Sequence, residues 1–138
     1  MLDFLNKFFS KAKRRPHVPQ SGHIIAAKVT KIEPHPNADR LRVITLTDGV
    51  RSITPVVCGA YNFEVGDIVA LALPEATIAR DIHSEGHEPF TLGTAKIRGI
   101  ESQGMICAEF EMGLTEELSD KPEILVLPKE TKIGTILQ

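Results

Sequence analysis

The 138-residue chain has no tryptophan and one tyrosine, and aromatic residues make up only 5% of it. Proteins that bind single-stranded nucleic acid usually stack successive bases on aromatic side chains. Four aromatic residues lie beyond position 22, and we expect several of them in the core: Tyr61, Phe63, Phe90 and Phe110. This scarcity argues against a general single-strand binder.

Cysteine is also scarce, with Cys58 and Cys107 far apart and no Cys-x-x-Cys pair. The pattern predicts reduced, buried thiols in a cytosolic protein. No apolar run approaches the ~20 residues that a membrane-spanning helix needs. The N-terminus also lacks the continuous apolar core of a signal peptide. We therefore expect a cytoplasmic protein with no membrane partner.

Recognisable catalytic patterns are absent too, with neither a Gly-rich phosphate loop nor a paired-carboxylate or triad arrangement. His83 and His87, which bracket Glu85, have a spacing that suits a metal. The pair lacks a third or fourth ligand nearby, so it makes a poor zinc site. The cysteines have no adjacent base to activate them. We predict that the chain is not an enzyme and holds no cofactor or metal.

The formal net charge of −2 gives no overall nucleic-acid signature, but the charge is unevenly distributed. Residues 1–22 hold five basic residues and one acidic residue, whereas residues 23–138 hold 11 basic and 17 acidic residues. An anion-binding site on the body must therefore be a local basic patch on an acidic background.

Residues 1–15 are predicted to form a basic amphipathic helix, because Leu2, Leu5, Phe8 and Phe9 recur at helical spacing. Such a helix either docks on an anionic membrane or packs on its own body or a partner chain, and we favour packing. Residues 16–22 are predicted to be a linker. Residues 23–128 form the predicted domain and 129–138 a tail that lies back on it.

The domain is predicted to be all-β, with strands separated by turn signals. A rigid loop is expected at 33–39, a hairpin at Asp48-Gly49, a buried central strand at 68–73 and a helical turn at 114–118. The expected strands cover residues 24–32, 41–46, 51–57, 68–73, 90–98, 104–110 and 124–127. A small barrel or a sandwich fits this pattern, and a five-stranded Greek-key barrel fits the strand count.

The segment 96–107, KIRGIESQGMIC, carries the most distinctive chemistry. In a strand, Lys96 and Arg98 lie on one face, and Gly99 permits a sharp turn. Ser102, Gln103 and a flexible methionine follow. This combination suits binding of a phosphate-bearing partner without chemistry on it.

Four motifs in order resemble those of the tRNA-binding domain family: PHPNADRL at 34–41, VCGAYN at 57–62, VGD at 65–67 and KIRGIESQGMICA at 96–108. The resemblance covers residues 23–127 and is nearest to the module of bacterial phenylalanyl-tRNA synthetase beta subunits. It implies a five-stranded Greek-key OB-fold barrel with extra short strands. The N-terminal helix and the long 79–90 connection depart from the family pattern, so we expect a stand-alone relative or a part of such a subunit, unable to aminoacylate alone.

The resemblance also implies recognition of folded tRNA by shape and backbone. The implied contact residues are Ser102, Gly104, Met105, Lys96, Arg98, Arg40 and Arg42. Alternatively, the serine braces a turn, the methionine fills the core and the arginines are solvated. We expect His35 to rigidify its loop and Asn37 and Asp39 to brace it.

A second reading is a protein–protein assembly module with little RNA affinity. In that case the domain pairs with itself, or with a synthetase subunit, through apolar strand edges and the N-terminal helix. The two readings are compatible, since some members of the family are dimers.

Overall fold

The computed structural model describes residues 22–138, which form ten β-strands and no helix. The all-β class is therefore confirmed for these residues. The predicted helix at 1–15, and the predicted linker except for Gly22, lie outside the described residues. The strands are β1 Ile24–His35, β2 Ala38–Thr47, β3 Ser52–Cys58, β4 Ile68–Ala72, β5 Thr77–Ile78, β6 Phe90–Thr91, β7 Ala95–Ile97, β8 Ile100–Ser102, β9 Met105–Ile106 and β10 Val126–Leu127.

The main sheet is antiparallel, with the order β10-β4-β1-β2-β3 and with β9 also paired to β4. The first half of β1 pairs with β4 and its second half with β2. The tail borders the start of β1, because Gly134 N donates to Ala26 O and Ile24 N donates to Gln138 O. The tail thus lies back on the body, as predicted.

The outer edge of β3 is linked to the segment that enters β9. Val57 N donates to Ser102 Oγ at 3.0 Å, and Gln103 N donates to Pro55 O at 2.8 Å. Since β9 pairs with β4, the sheet curls back towards its other side. The result is a barrel-like form closed partly by side-chain and loop hydrogen bonds.

The predicted central strand is confirmed, and β4 is buried on both faces. Because side chains alternate along a strand, Val69 and Leu71 face the main core inside the curled sheet. Ala70 and Ala72 face a second apolar cluster that contains Ile24, Ala76, Ile78, Cys107 and Met112. The segments around 76–78 and 105–112 therefore cover the outer face of the sheet.

Four local predictions were wrong. Residues 33–39 are not a loop, because β1 and β2 extend to a tight turn with His35 opposite Ala38. Pro34 is tolerated there because this half of β1 has a paired strand on one side only. The predicted strand 90–98 is two short strands separated by residues 92–94, and each pairs with a different partner. The strand predicted over 104–110 ends at Ile106. The helical turn falls at 108–113, where Met112 N donates to Ala108 O, and not at 114–118.

Candidate nucleic-acid interface

Two hairpin turns contact each other, and we call residues 35–42 and 96–101 the joined tips. The first turn connects β1 to β2, and the second, Arg98-Gly99, connects β7 to β8. His35 Nε2 lies 3.1 Å from Ile97 O, and Asn37 Nδ2 lies 3.4 Å from Arg98 O. Residues about 60 positions apart are thus held together.

His35 provides the main link between the tips and is only 5% exposed. The N–H of Asn37 donates to His35 Nδ1 at 2.9 Å, so this nitrogen carries no proton. The carbonyl of Ile97 can only accept, so Nε2 carries the proton and donates to it. The neutral Nε2–H tautomer satisfies both bonds. These two bonds support the predicted rigidifying role of His35, which stays a prediction.

Three cationic side chains of the joined tips are exposed: Arg40, Lys96 and Arg98. Arg40 is one of three β2 residues, 39–41, that have no partner in β1. The pair Pro34–Arg42 is followed directly by the pair His35–Ala38, so these three residues are left out of the pairing. Asp39 and Glu101, both exposed, are the acidic residues of the tips. The joined tips therefore hold four basic and two acidic residues, a local excess of positive charge.

Arg98 has an unusual backbone conformation. Its φ is +52° and that of Gly99 is +92°, so the turn has positive φ at both central positions, as a type I′ hairpin requires. Glycine or asparagine adopts this conformation readily, whereas another residue costs roughly 1 kcal/mol. The turn thus presents an exposed guanidinium at a position where conformation alone favours a different residue.

Arg42 is committed to contacts inside the protein. Its Nη2 donates to Ala60 O at 3.0 Å and to Phe63 O at 3.4 Å. Its guanidinium carbon lies 4.3 Å from the ring centroid of Tyr61 and 4.9 Å from that of Phe63, within the range of cation–π attraction. Nε is buried and has no hydrogen-bond partner. Arg42 thus holds the 59–63 turn against β2, and its predicted RNA contact stays a prediction.

Ser102, Gly104 and Met105 have internal roles as well. Ser102 is 4% exposed, and its hydroxyl accepts from Val57 N and donates to Gly104 O at 2.9 Å. A Cβ added to Gly104 would lie 2.7 Å from Ala72 O, so only glycine fits this close approach. Met105 pairs with Ala72 and packs half-buried on the second apolar cluster. The predicted RNA contacts of these three residues stay predictions.

The two cysteines and His87 pack against other parts of the protein. Cys58 and Cys107 are buried and unpaired, as predicted, and burial raises the pKa of both thiols. His87 Nδ1 lies 3.0 Å from Asp81 O, and its ring packs edge-on against Phe110. Within residues 22–138 no three His, Cys, Asp or Glu side chains converge as a metal would need. The same residues contain no helix with the length and apolar character to cross a membrane.

Comparison with known proteins agrees with this geometry. The model of the family described as "Putative tRNA binding domain" matches residues 24–136. The chain therefore belongs to the tRNA-binding domain family.

Its relatives include phenylalanine–tRNA ligase beta subunits. Identity is 50% over 111 residues with that of Chlamydia pneumoniae, covering 80% of this chain and 13% of the relative. It is 39% over 123 residues with that of Dechloromonas aromatica, covering 89% and 14%. For Chlorobaculum tepidum it is 41% over 111 residues, covering 80% and 13%. The chain thus spans about one seventh of the length of these relatives.

Proposed function

We propose that the chain is a tRNA-binding module that recognises folded tRNA by its shape and backbone, with the joined tips as the contact surface. The observation that carries this proposal is that His35 holds together two tips with three exposed cations. Structured RNA is commonly recognised through phosphates and 2′-hydroxyls rather than by sequence. The curled antiparallel sheet supports assignment of the body to the five-stranded Greek-key OB-fold.

One group of residues contacts the RNA, and a second group positions the strands and turns that carry it. Arg40, Lys96 and Arg98 contact phosphates, because their charged ends are exposed. The inner group, Ser102, Gly104, Met105 and Arg42, fixes the strands and turns that carry the contact surface. Three phosphate contacts correspond to a slope of about −2 to −3 in log K against log salt. The affinity is therefore modest and falls with salt.

Arg98→Asn tests the proposal because it removes the charge and keeps a residue suited to positive φ. We expect unchanged or slightly higher stability and a two- to fivefold (roughly) lower affinity for folded tRNA at low salt. The salt slope should become shallower by about 1. Titrations of the full chain with folded tRNA and with an unstructured RNA of equal length measure both quantities. Lys129→Ala, an exposed cation after β10, is the matched control.

Folded tRNA should bind more tightly than the unstructured RNA, and Lys129→Ala should bind like the unmodified chain. Equal affinity for the two RNAs would contradict shape recognition. If the slope of log K against log salt were the same for Arg98→Asn and the unmodified chain, the joined tips would be excluded as the contact surface.

The relatives described above suggest the setting in which this module works. Since they are beta subunits of phenylalanine–tRNA ligases, we propose that the chain supplies tRNA contacts to such an enzyme, as a part of the subunit or in trans. The matching family is described as a binding domain, which supports a binding role without catalysis by this chain. We propose the cytoplasm as its location, since that is where tRNA is aminoacylated in bacteria.

A further inference from the structure

The negative charge of the body is concentrated in one region, which we call the acidic lobe, residues 79–90 and 109–123. The lobe contains nine acidic and two basic residues. The rest of residues 23–138 contains eight acidic and nine basic residues, so it is almost neutral. The lobe is therefore the strongest electrostatic feature of the body.

Arg80 holds the two segments of the lobe together. Its Nη1 donates to Thr115 O at 2.7 Å, and its Nη2 lies 2.9 Å from Glu116 Oε1. Its guanidinium also lies 4.9 Å from the ring centroid of Phe110, and the backbone N–H of Arg80 donates to Glu111 O at 3.2 Å. The two segments of the lobe are thus held together by Arg80, whose side chain is 22% exposed.

Two leucines on this surface are exposed. Leu114 is 57% exposed and Leu118 is 44% exposed, and the carboxylates of Glu116 and Glu117 lie between them in sequence. Single exposed leucines are common on protein surfaces. A pair among carboxylates is complementary to a partner that carries both apolar and basic side chains.

Residues 1–15 of the same chain have this composition. They carry a charge of +4 together with Leu2, Leu5, Phe8 and Phe9. No other segment of the chain combines a charge of this sign and size with four large apolar residues. Attraction between opposite charges and burial of apolar surface would therefore act together on the lobe.

The body begins next to the lobe. Ile24 packs in the same apolar cluster as Met112. Ile24 N also donates to Gln138 O, while Gln138 Nε2 donates to Met112 O at 3.1 Å. Residues 16–21 can span up to roughly 20 Å. The body thus begins with a strand that shares contacts with the lobe, and six residues separate Gly22 from residues 1–15.

We propose that residues 1–15 dock on the acidic lobe of their own chain. The leucines and phenylalanines pack against Leu114 and Leu118, and the lysines and arginines lie among the surrounding carboxylates. The docking is independent of RNA binding.

The absence of tryptophan allows a direct test in the full-length chain. Phe8→Trp introduces a single fluorescent reporter in the N-terminal segment. We expect emission at short wavelength, independent of protein concentration, and a shift to longer wavelength in 1 M salt, where the Debye length is only about 3 Å. Adding Leu114→Ser and Leu118→Ser should shift the emission in the same direction at low salt. Adding Val50→Ser, which changes a 68% exposed residue in the β2–β3 turn, should not.

Three results would overturn the proposal. Long-wavelength emission from Phe8→Trp alone would show that the segment does not dock. Short-wavelength emission that persists in the double leucine variant would place the docking site elsewhere. Emission that depends on concentration, together with a doubled mass in light scattering, would make a second copy the occupant. Circular dichroism of each variant checks that the fold is retained.

Discussion

At the scale of single residues, Ser102 connects two parts of the sheet. Its hydroxyl accepts from the buried N–H of Val57 and donates to Gly104 O, so replacing it leaves a buried donor without a partner. We expect Ser102→Ala to lower the free energy of unfolding by about 1–3 kcal/mol. Urea unfolding measures this, with the exposed Ser52→Ala as control. A change within about 0.5 kcal/mol, like that of an ordinary surface substitution, would contradict the bracing role.

Gly104 gives a second test at this scale. Its backbone lies so close to β4 that an added Cβ would meet the carbonyl oxygen of Ala72 at 2.7 Å. Gly104→Ala should therefore shift the β4–β9 pairing and destabilise the protein by about 1–3 kcal/mol. Gly93→Ala is the matched control, since a Cβ there meets no atom within 4 Å. Thermal unfolding of the two variants compares them, and similar midpoints would show that β9 can move without cost.

The sequence could identify Ser102, Gly104 and Met105 as a distinctive group, but not what their atoms touch. Ser102 bonds to Val57, 45 positions away, and Gly104 is confined by β4. The same holds for Arg42, whose guanidinium is used by the 59–63 turn. The exposure of a polar side chain depends on such long-range contacts, which residue type and spacing do not encode.

At the scale of elements, the contact between the two hairpins is the central feature. His35→Ala should leave the Asn37 N–H and the Ile97 carbonyl without partners and uncouple the tips. We expect a loss of about 1–3 kcal/mol in unfolding free energy and weaker tRNA binding, although no exposed cation is removed. Titration below the unfolding transition measures the binding, and the exposed His83→Ala serves as control. Unchanged tRNA affinity would show that the tips need not be joined.

Strands with a continuous apolar pattern were predictable, and short ones were not. The run 68–73 gave a buried strand because both of its faces are covered. The segment 90–98 mixes apolar residues with threonines, a glycine and two cations. It forms two short strands separated by residues 92–94, because β6 pairs with β5 and β7 pairs with β8. Proline spacing suggested a loop at 33–39, whereas an open strand edge accommodates Pro34. Pairing partners, more than local propensity, set these boundaries.

At the scale of the whole molecule, positive charge is concentrated on the joined tips and negative charge on the acidic lobe. Within the lobe, the buried Glu111 makes the folding stability of the protein depend on pH. Burial raises its pKa, and its Oε1 accepts from Ala108 N at 2.8 Å. Because the folded state binds this proton more tightly than the unfolded state, stability should fall as pH rises from the ordinary carboxyl pKa through the raised one. Glu111→Gln should flatten this dependence and raise stability at neutral pH.

Chemical denaturation between pH 4 and pH 8 (roughly the range over which buried carboxyl groups titrate) tests this. The adjacent exposed Glu109→Gln should leave the pH profile unchanged. Parallel profiles for the unmodified chain and Glu111→Gln would exclude Glu111 as the titrating group.

The hydrogen bond from Ile24 N to Gln138 O, 2.8 Å long, brings the first strand and the last residue together. The start of β1 and residue 138 therefore lie side by side on the domain. A domain with this arrangement can be inserted into a longer protein through short connecting segments and with little strain. A circular permutant that links these ends and is cut at the exposed residues 85–86 should retain the same fold.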